Sequence, residues 1–146
     1  MITTYAYPAR LRPDDGAFVV TFRDVPEALT QGDGREHAIA MAIDALSTAL
    51  WFRLRDGEPI PRPSRPRKGE VPVAPEPAIA MKIALLDAVG GRRGAAARIA
   101  RGLRIEHKEA RRLLDPTKVN KADRLARALE LFGHHAVVVV APRPPA

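Results

Sequence analysis

Between Phe22 and Gly57 the apolar and polar positions form a pattern with a marked start and a marked end: an extended segment, a polar turn, a long amphipathic stretch and a glycine. Ile39, Ile43, Leu46, Leu50 and Leu54 recur at helical spacing, which predicts a helix that buries one face. Asp33 is placed to cap its start, with Glu36 three residues on completing a capping box, and Gly57 to end it. Ahead of it, Thr3 to Leu11 reads as a first strand around Tyr5 and Tyr7, and Pro8 places that strand at an edge. Asp14-Asp15-Gly16 reads as a hairpin turn into a second, antiparallel strand, Ala17 to Phe22. Ala28 to Gln31 has room for a brief third strand, and the helix is expected to pack across the three.

The pattern then changes. Between Gly57 and Pro77 lie seven of the fourteen prolines, with four basic residues crowded into 62–68. Residues 57–70 therefore read as a stiff, extended linker, and 71–74 as a possible edge strand in which Pro72 needs no ladder donor. A first domain of β-β-β-α-β order is expected over 1–76. From 77 to 141 the period is helical: Ile79, Ile83 and Leu86 mark one helix closed by Gly90-Gly91, Ala96–Leu103 a second, His107–Leu114 a third and Lys121–Phe132 a fourth. Asn120 with Asp123 is expected to cap the last, whose apolar stripe is Ala122, Leu125, Ala126, Leu129 and Phe132. The run Val137, Val138, Val139, Val140 reads by composition as a C-terminal strand, and 142–146 as a disordered tail. The fold class is α+β, a mixed domain followed by a small helical one.

Apolar residues make up 46% of the 146 positions, enough for folded cores, and no run of them is long enough to span a bilayer. MITTYAYPARL has neither a basic start nor a continuous apolar stretch, so it does not read as a secretory signal. There is no cysteine, which excludes disulfides and thiolate metal sites and fits the cytoplasm. Charge changes the picture more. Residues 1–60 hold six basic and nine acidic side chains, whereas 61–146 hold eighteen and eight, so a net charge of +7 divides into an acidic half and a strongly basic one. The basic half has the electrostatic footprint of a nucleic-acid binder, and the acidic half suits a basic protein.

Within the basic half, AARIARGLRIEHKEARRLL places apolar and small residues where a helix-turn-helix needs them. Ile99 and Leu103 face the core, Ala100 is small at the crossing, Ile105 plugs the turn, and Ala110 and Leu113 pack back. His107, Lys108, Arg111 and Arg112 are left outward on the second helix, which in this motif enters the major groove. Arg is the side chain best shaped for a bidentate contact with guanine, so Arg111 and Arg112 are the leading candidates for base readout. Arg92, Arg93, Arg104, Lys118 and Lys121 flank the motif and suit phosphate contacts. Arg104 stands where a glycine is usual, and Glu106 where Ser or Thr would cap the second helix. A helical hairpin with a solvated basic face is the other reading of the same residues.

Catalytic chemistry is thin. Asp14, Asp15, Asp24 and Glu27 cluster in sequence, but turn chemistry accounts for the first two, and neither a catalytic residue, a metal ligand set nor a cofactor is predicted. His134 and His135 have no acidic or thiol partner at ligand spacing; the end of a helix explains them better. Ser47 and Ser64 have no base near them in the chain.

The residues Phe18 to Phe22, DVPEALTQGD, REHAIAMAIDAL and DGEPIPRPS closely resemble the first domain of HicB-type antitoxins, and MKIALLDA followed by a helix-turn-helix is similar to the second half of their DNA-binding subtype. The resemblance covers nearly the whole chain. It implies a partial RNase H-like domain that blocks a HicA-like toxin, a small basic RNase that cleaves mRNA, joined to a module that dimerises and represses the operon encoding both. A working RNase H carries carboxylates on its first strand, and YAYPARL carries none, so the resemblance implies the fold without the chemistry. Four helices ahead of a strand do not fit the ribbon-helix-helix found in other members. The function expected is an antitoxin with double-stranded operator DNA as a second partner and Val137–Val140 as a dimer contact. A stand-alone transcription regulator, whose first domain senses a ligand or mediates assembly, is the alternative, and a metal-dependent nuclease using Asp14 or Asp15 a third.

Overall fold

Two residues of positive φ, Asp15 at 47° and Gly16 at 83°, turn strand β1 (Tyr7–Asp14) back on β2 (Ala17–Phe22) in the computed structural model, which describes residues 1–142. A two-residue loop of that conformation matches the twist of the strands it joins. Strand β3 (Thr30–Asp33) pairs with the free side of β2, and β4 (Glu70–Val73) with the free side of β1, giving an antiparallel sheet in the order β3-β2-β1-β4. The first strand is therefore internal, contrary to the edge position that Pro8 suggests. Pro8 lies opposite Pro72 on β4, where two residues without an N–H can face each other only at a pair that exchanges no hydrogen bond. On the other side the β1–β2 ladder begins one residue later, at Ala9 and Phe22.

Two strands are displaced from their expected bounds. β1 starts at Tyr7 instead of Thr3 because Tyr7, opposite Val73, is the first residue with a ladder partner. β3 starts at Thr30 instead of Ala28, whose N–H closes a turn on the Val25 carbonyl at 2.9 Å.

Helix α1 (Gly34–Arg55) lies across the sheet on Ala38, Ala42, Leu46, Ser47, Ala49 and Leu50. Its buried stripe is rotated from the expected one: Leu46 and Leu50 are fully buried, but Ile39, Ile43 and Leu54 are only half-buried. The reason is at Gly32, where an added β-carbon would stand 2.4 Å from the Ala38 backbone nitrogen. The helix approaches β3 so closely that only alanine fits beneath its first turns, and the larger side chains move to the flanks. The capping box does not form as expected either. Asp33 makes no side-chain cap bond, and its own N–H donates to Nδ1 of His37 at 3.0 Å.

The described residues divide into two units, Met1–Glu76 and Pro77–Val140. The second contains α2 (Pro77–Val89), α3 (Ala95–Leu103), α4 (His107–Leu114) and α5 (Ala122–Leu131) around Leu85, Ile99, Leu113 and Leu125, all essentially without solvent contact. Gly102 allows α3 to meet α5, since a β-carbon there would press into the Leu131 side chain at 2.6 Å. At the end of α5, Gly133 at φ 79° carries a Schellman closure, with His134 N–H on Leu129 O at 3.1 Å and Gly133 N–H on Glu130 O at 3.2 Å. The valine run that follows is not a strand. Val137, Val138, Val139 and Val140 are 71–91% exposed and have no ladder partner, which β composition cannot replace. Of the expected tail, residues 143–146 lie outside the described residues.

Replacing Gly32 with alanine should destabilise the full-length chain by about 3 kcal/mol, the upper end for overpacking, because helix backbone and not a pliable side chain fills the space. Urea denaturation followed by circular dichroism measures it, and a midpoint shift corresponding to less than about 1 kcal/mol would contradict the close approach.

Candidate functional site

In the first unit, the loop Asp24-Val25-Pro26-Glu27 and the proline-rich segment after α1 are tied together by side chains. The Asp24 carboxylate accepts from the Ser64 hydroxyl at 2.8 Å and from the Ser64 N–H at 2.7 Å. Glu27 receives a two-pronged contact from Arg53, its Oε2 accepting from Nη2 at 3.0 Å, and Arg53 Nη1 also donates to Pro59 O at 3.0 Å. The Tyr7 hydroxyl donates to Pro61 O at 2.7 Å, and burial, with lesser contributions from Tyr5 and Asp24, pushes its pKa up to about 12, so it remains a donor. Arg23 grips Glu70 through two contacts at 3.0 and 3.1 Å and donates to Arg65 O at 2.6 Å. That grip, helped by the Arg67 N–H, holds the Glu70 carboxyl down at about 2. Residues 57–70 are consequently a strap bound to the sheet and α1 rather than a free linker. Ser47 completes it from α1, bonding back to Ile43 O and accepting the Glu76 N–H at 2.9 Å.

These contacts also fix what the acidic cluster can do. Asp24 and Glu27 are each engaged by a donor from elsewhere in the unit, while Asp15 serves the hairpin turn. Among the described residues no three His, Asp or Glu side chains gather as a metal site would require.

In the second unit, α3 and α4 are joined by Arg104-Ile105-Glu106. Arg104 occupies the left-handed region at φ 55°, ψ 49°, and Ile105 N–H returns to Ala100 O at 3.1 Å. Ile99, Leu103, Ala110 and Leu113 are buried, and Ile105 packs against them from the turn. Of the residues singled out from sequence, His107, Lys108, Arg111 and Arg112 are all exposed on α4. Arg111 Nε donates to His107 Nδ1 at 2.9 Å, one turn back, which aligns the two along the same face. Glu109, a negative charge on this helix, is held by Arg124 of α5 at 3.1 Å. Arg92, Arg93, Arg104, Lys118 and Lys121 are exposed in the connecting segments or at the N-terminal boundary of α5.

Sequence reasoning misses the residue that positions α4. Lys82 on α2 is 3% exposed, and its ammonium donates to the Arg112 carbonyl at 3.2 Å and to the Asn120 carboxamide oxygen. Asn120 in turn donates to the same Arg112 carbonyl at 3.3 Å. This explains why α5 begins at an N-cap Lys121, with no side-chain cap: the carboxamide expected to cap it is engaged by the lysine. A lysine between Met81 and Ile83 in an apolar stretch is the available signal, since such a residue is rarely buried without a purpose. Burial pushes Lys82 down to about 8, with Asp115 opposing the shift.

Comparison with known proteins bears on both units. Residues 6–84 match the model of a family described as the HicB-like antitoxin of a bacterial toxin-antitoxin system. The chain is 41% identical over 133 residues to Antitoxin HicB 2 of Photorhabdus laumondii, covering 91% of this chain and 94% of the relative. It is 33% identical over 135 residues to Antitoxin HicB of Escherichia coli strain K12, covering 92% and 98%. Among the described residues no helix is long and apolar enough to cross a membrane.

Lys82 makes a pH prediction. Below about pH 8 it is charged in folded and unfolded chains alike, so the folded state bears the full cost of burying the charge. Between about 8 and the ordinary 10.5 the unfolded chain binds the extra proton, and stability contributed by this group rises with pH. Urea denaturation at pH 7.5 and pH 9.5 should show this gain in the native chain and lose it in Lys82→Met; an equal pH response in both would refute the assignment.

Proposed function

Because the chain belongs to the HicB-like antitoxin family of bacterial toxin-antitoxin systems, we propose that its first unit neutralises a HicA-like mRNA-cleaving toxin by direct binding, and that its second represses the operon encoding both. The first unit, a β-β-β-α-β arrangement, is read as a partial RNase H-like domain that acts by occlusion and not by catalysis. The acidic balance of residues 1–60 supports a small basic partner. The strap and the Asp24–Ser64 and Glu27–Arg53 ties give that partner a preformed surface, which lowers the ordering cost of binding. The setting is the cytoplasm, where toxin, message and operator are all accessible.

One observation carries the DNA-binding reading: α3 and α4 meet through a left-handed turn around a buried apolar seam, and α4 turns only polar and charged side chains outward. This is the form of a helix-turn-helix, with α4 as the helix that enters the major groove. His107, Lys108, Arg111 and Arg112 take the base-reading positions, and Arg92, Arg93, Arg104, Lys118 and Lys121 the phosphate contacts. With Glu109 held by Arg124, one of the two acidic side chains at the start of α4, Glu106 being the other, is partly neutralised.

Paired recognition helices require a dimer with half-sites about 34 Å apart. Val137–Val140 supply its contact: four exposed valines in succession form an unpaired apolar segment that a second copy can cover.

Arg111→Ala should weaken binding to a duplex from the upstream region of the operon by about 1 to 3 kcal/mol and relax sequence preference, whereas Lys121→Ala should weaken all duplexes nearly equally. Fluorescence anisotropy against specific and scrambled duplexes separates the two, and unchanged preference in Arg111→Ala would overturn α4 as the reading helix. By light scattering a chain ending at Gly133 should have the mass of one chain where the intact protein has that of two; an unchanged number of chains per particle would remove the valine segment from the dimer contact.

A further inference from the structure

The sheet of the first unit has two faces of opposite character. Tyr7, Ala9, Val20 and Phe22 are buried on the α1 side, while Arg10, Arg12, Thr21 and Gln31 are exposed on the other. Arg10 lies across from Thr21 on β2, and from Glu70 on β4, whose side chain is nearly covered, so the open part of this face runs over β1, β2 and β3, with Asp14 and Asp33 at its hairpin end opposite Ala17. The strap extends it. Arg10 Nη1 reaches Gly69, 3.8 Å from where a β-carbon would stand, and the residues just before Gly69 are Arg67 and Lys68. Within this segment the Arg65 carbonyl is held by Arg23 and the Arg67 N–H by Glu70, so the cations stand on an anchored backbone. Among the described residues no carboxylate lies within ion-pair distance of Arg10, Arg12, Arg65, Arg67 or Lys68. Glu70, the carboxylate across from Arg10, is gripped by Arg23 and feels Arg10 only through its charge.

We propose that this open basic face is a second DNA-contacting surface, which grips the phosphate backbone of duplex DNA without reading its sequence. Cations clustered at the Arg10, Arg12, Arg67 and Lys68 end of the face, away from Asp14 and Asp33, are complementary to a polyanion, and the anchored strap backbone lowers the ordering cost of binding. Duplex DNA is favoured over a single strand because the face offers no aromatic side chain on which an unpaired base could stack: Phe18, by strand alternation, and Phe22 belong to the α1 side. The toxin is a poor occupant, since the partner expected for this unit is itself basic. The inference rests on the DNA-binding reading of the second unit. Once α4 engages DNA, the first unit is tethered to the same duplex, and weak backbone contacts act at high effective concentration.

The test uses the full-length chain and the fourfold variant Arg10→Gln/Arg12→Gln/Arg67→Gln/Lys68→Gln, titrated by anisotropy at several salt concentrations. The probes are the duplex upstream of its own reading frame, a scrambled duplex of equal length, and single-stranded RNA. Each phosphate that the variant no longer neutralises should lower the slope of log K against log salt by about 0.9, so a fall of about 2 to 3 is expected on both duplexes, with specific-to-scrambled preference retained. Unchanged slopes on both duplexes would overturn the proposal, and so would an effect confined to RNA, which would assign the face to a different polyanion. Should the fourfold variant be destabilised, Arg12→Gln/Lys68→Gln, which spares Arg10 beside Glu70, repeats the test with about half the change in slope. Failure of the α4 reading is distinguishable: there Arg111→Ala leaves sequence preference untouched, while the scrambled duplex still reports on the basic face.

Discussion

The approach of α1 to β3 at Gly32 governs the first unit. Helix backbone stands where a side chain on the strand would be, so the residues beneath the first turns can only be Ala38 and Ala42. With the axis held that close, Leu46 and Leu50 supply the volume toward the far end, and Ile39, Ile43 and Leu54 are turned to the flanks. The same placement brings Arg53, on the last turn, to Glu27 and Pro59. Small residues at one end of a helix thus decide where a guanidinium stands at the other.

What Arg53, Arg23, Asp24 and Tyr7 do together differs from what surface ion pairs usually do. An exposed pair in isolation contributes little, because water and salt screen it and two long side chains must be immobilised. Here all four of these side chains also bond a main-chain carbonyl or N–H that prolines leave without a regular partner: Pro59 O, Pro61 O, Arg65 O and the Ser64 N–H. A proline-rich segment cannot satisfy its carbonyls by helix or central strand, so side chains from the loop and the sheet take that role. The strap becomes part of the domain through these side-chain hydrogen bonds together with the partial burial of Ile60, Pro61 and Pro63.

This division marks what is legible in the sequence. The order of elements, the hairpin at Asp15-Gly16 and the seam of Ile99, Leu103, Ala110 and Leu113 follow from periodicity and turn chemistry, which are local. The strap reads as a linker because its partners Tyr7, Arg23 and Asp24 are distant in the chain and nothing in spacing pairs them. The apolar stripe of α1 is misplaced when large residues are weighted over small ones: a pattern of isoleucines shows where apolar volume lies, but close approach selects alanine. Pro8 suggests an edge only if a ladder needs its missing donor, and none does: opposite Pro72 no bond is exchanged, and the ladder with β2 begins at Ala9. The valine run shows the limit of composition, since strand propensity has no effect until another strand is present.

In the second unit α4 is fixed from both ends by unusual means. At its start Arg104 accepts a left-handed conformation that costs a non-glycine residue about 1 to 2 kcal/mol. At its end the Arg112 carbonyl, which the helix itself satisfies only through the Asp115 N–H at 3.3 Å, is also bound by a buried ammonium and a carboxamide. Both devices cost stability that a glycine and an apolar residue would recover, and both act on the placement of one helix of eight residues. Such a helix is too short to hold its orientation by its own hydrogen bonds and buries only Ala110 and Leu113. Its pose must be imposed from outside, by the turn before it and the lysine behind it, and where His107, Lys108, Arg111 and Arg112 stand on the surface depends on that pose more than on the helix's own stability.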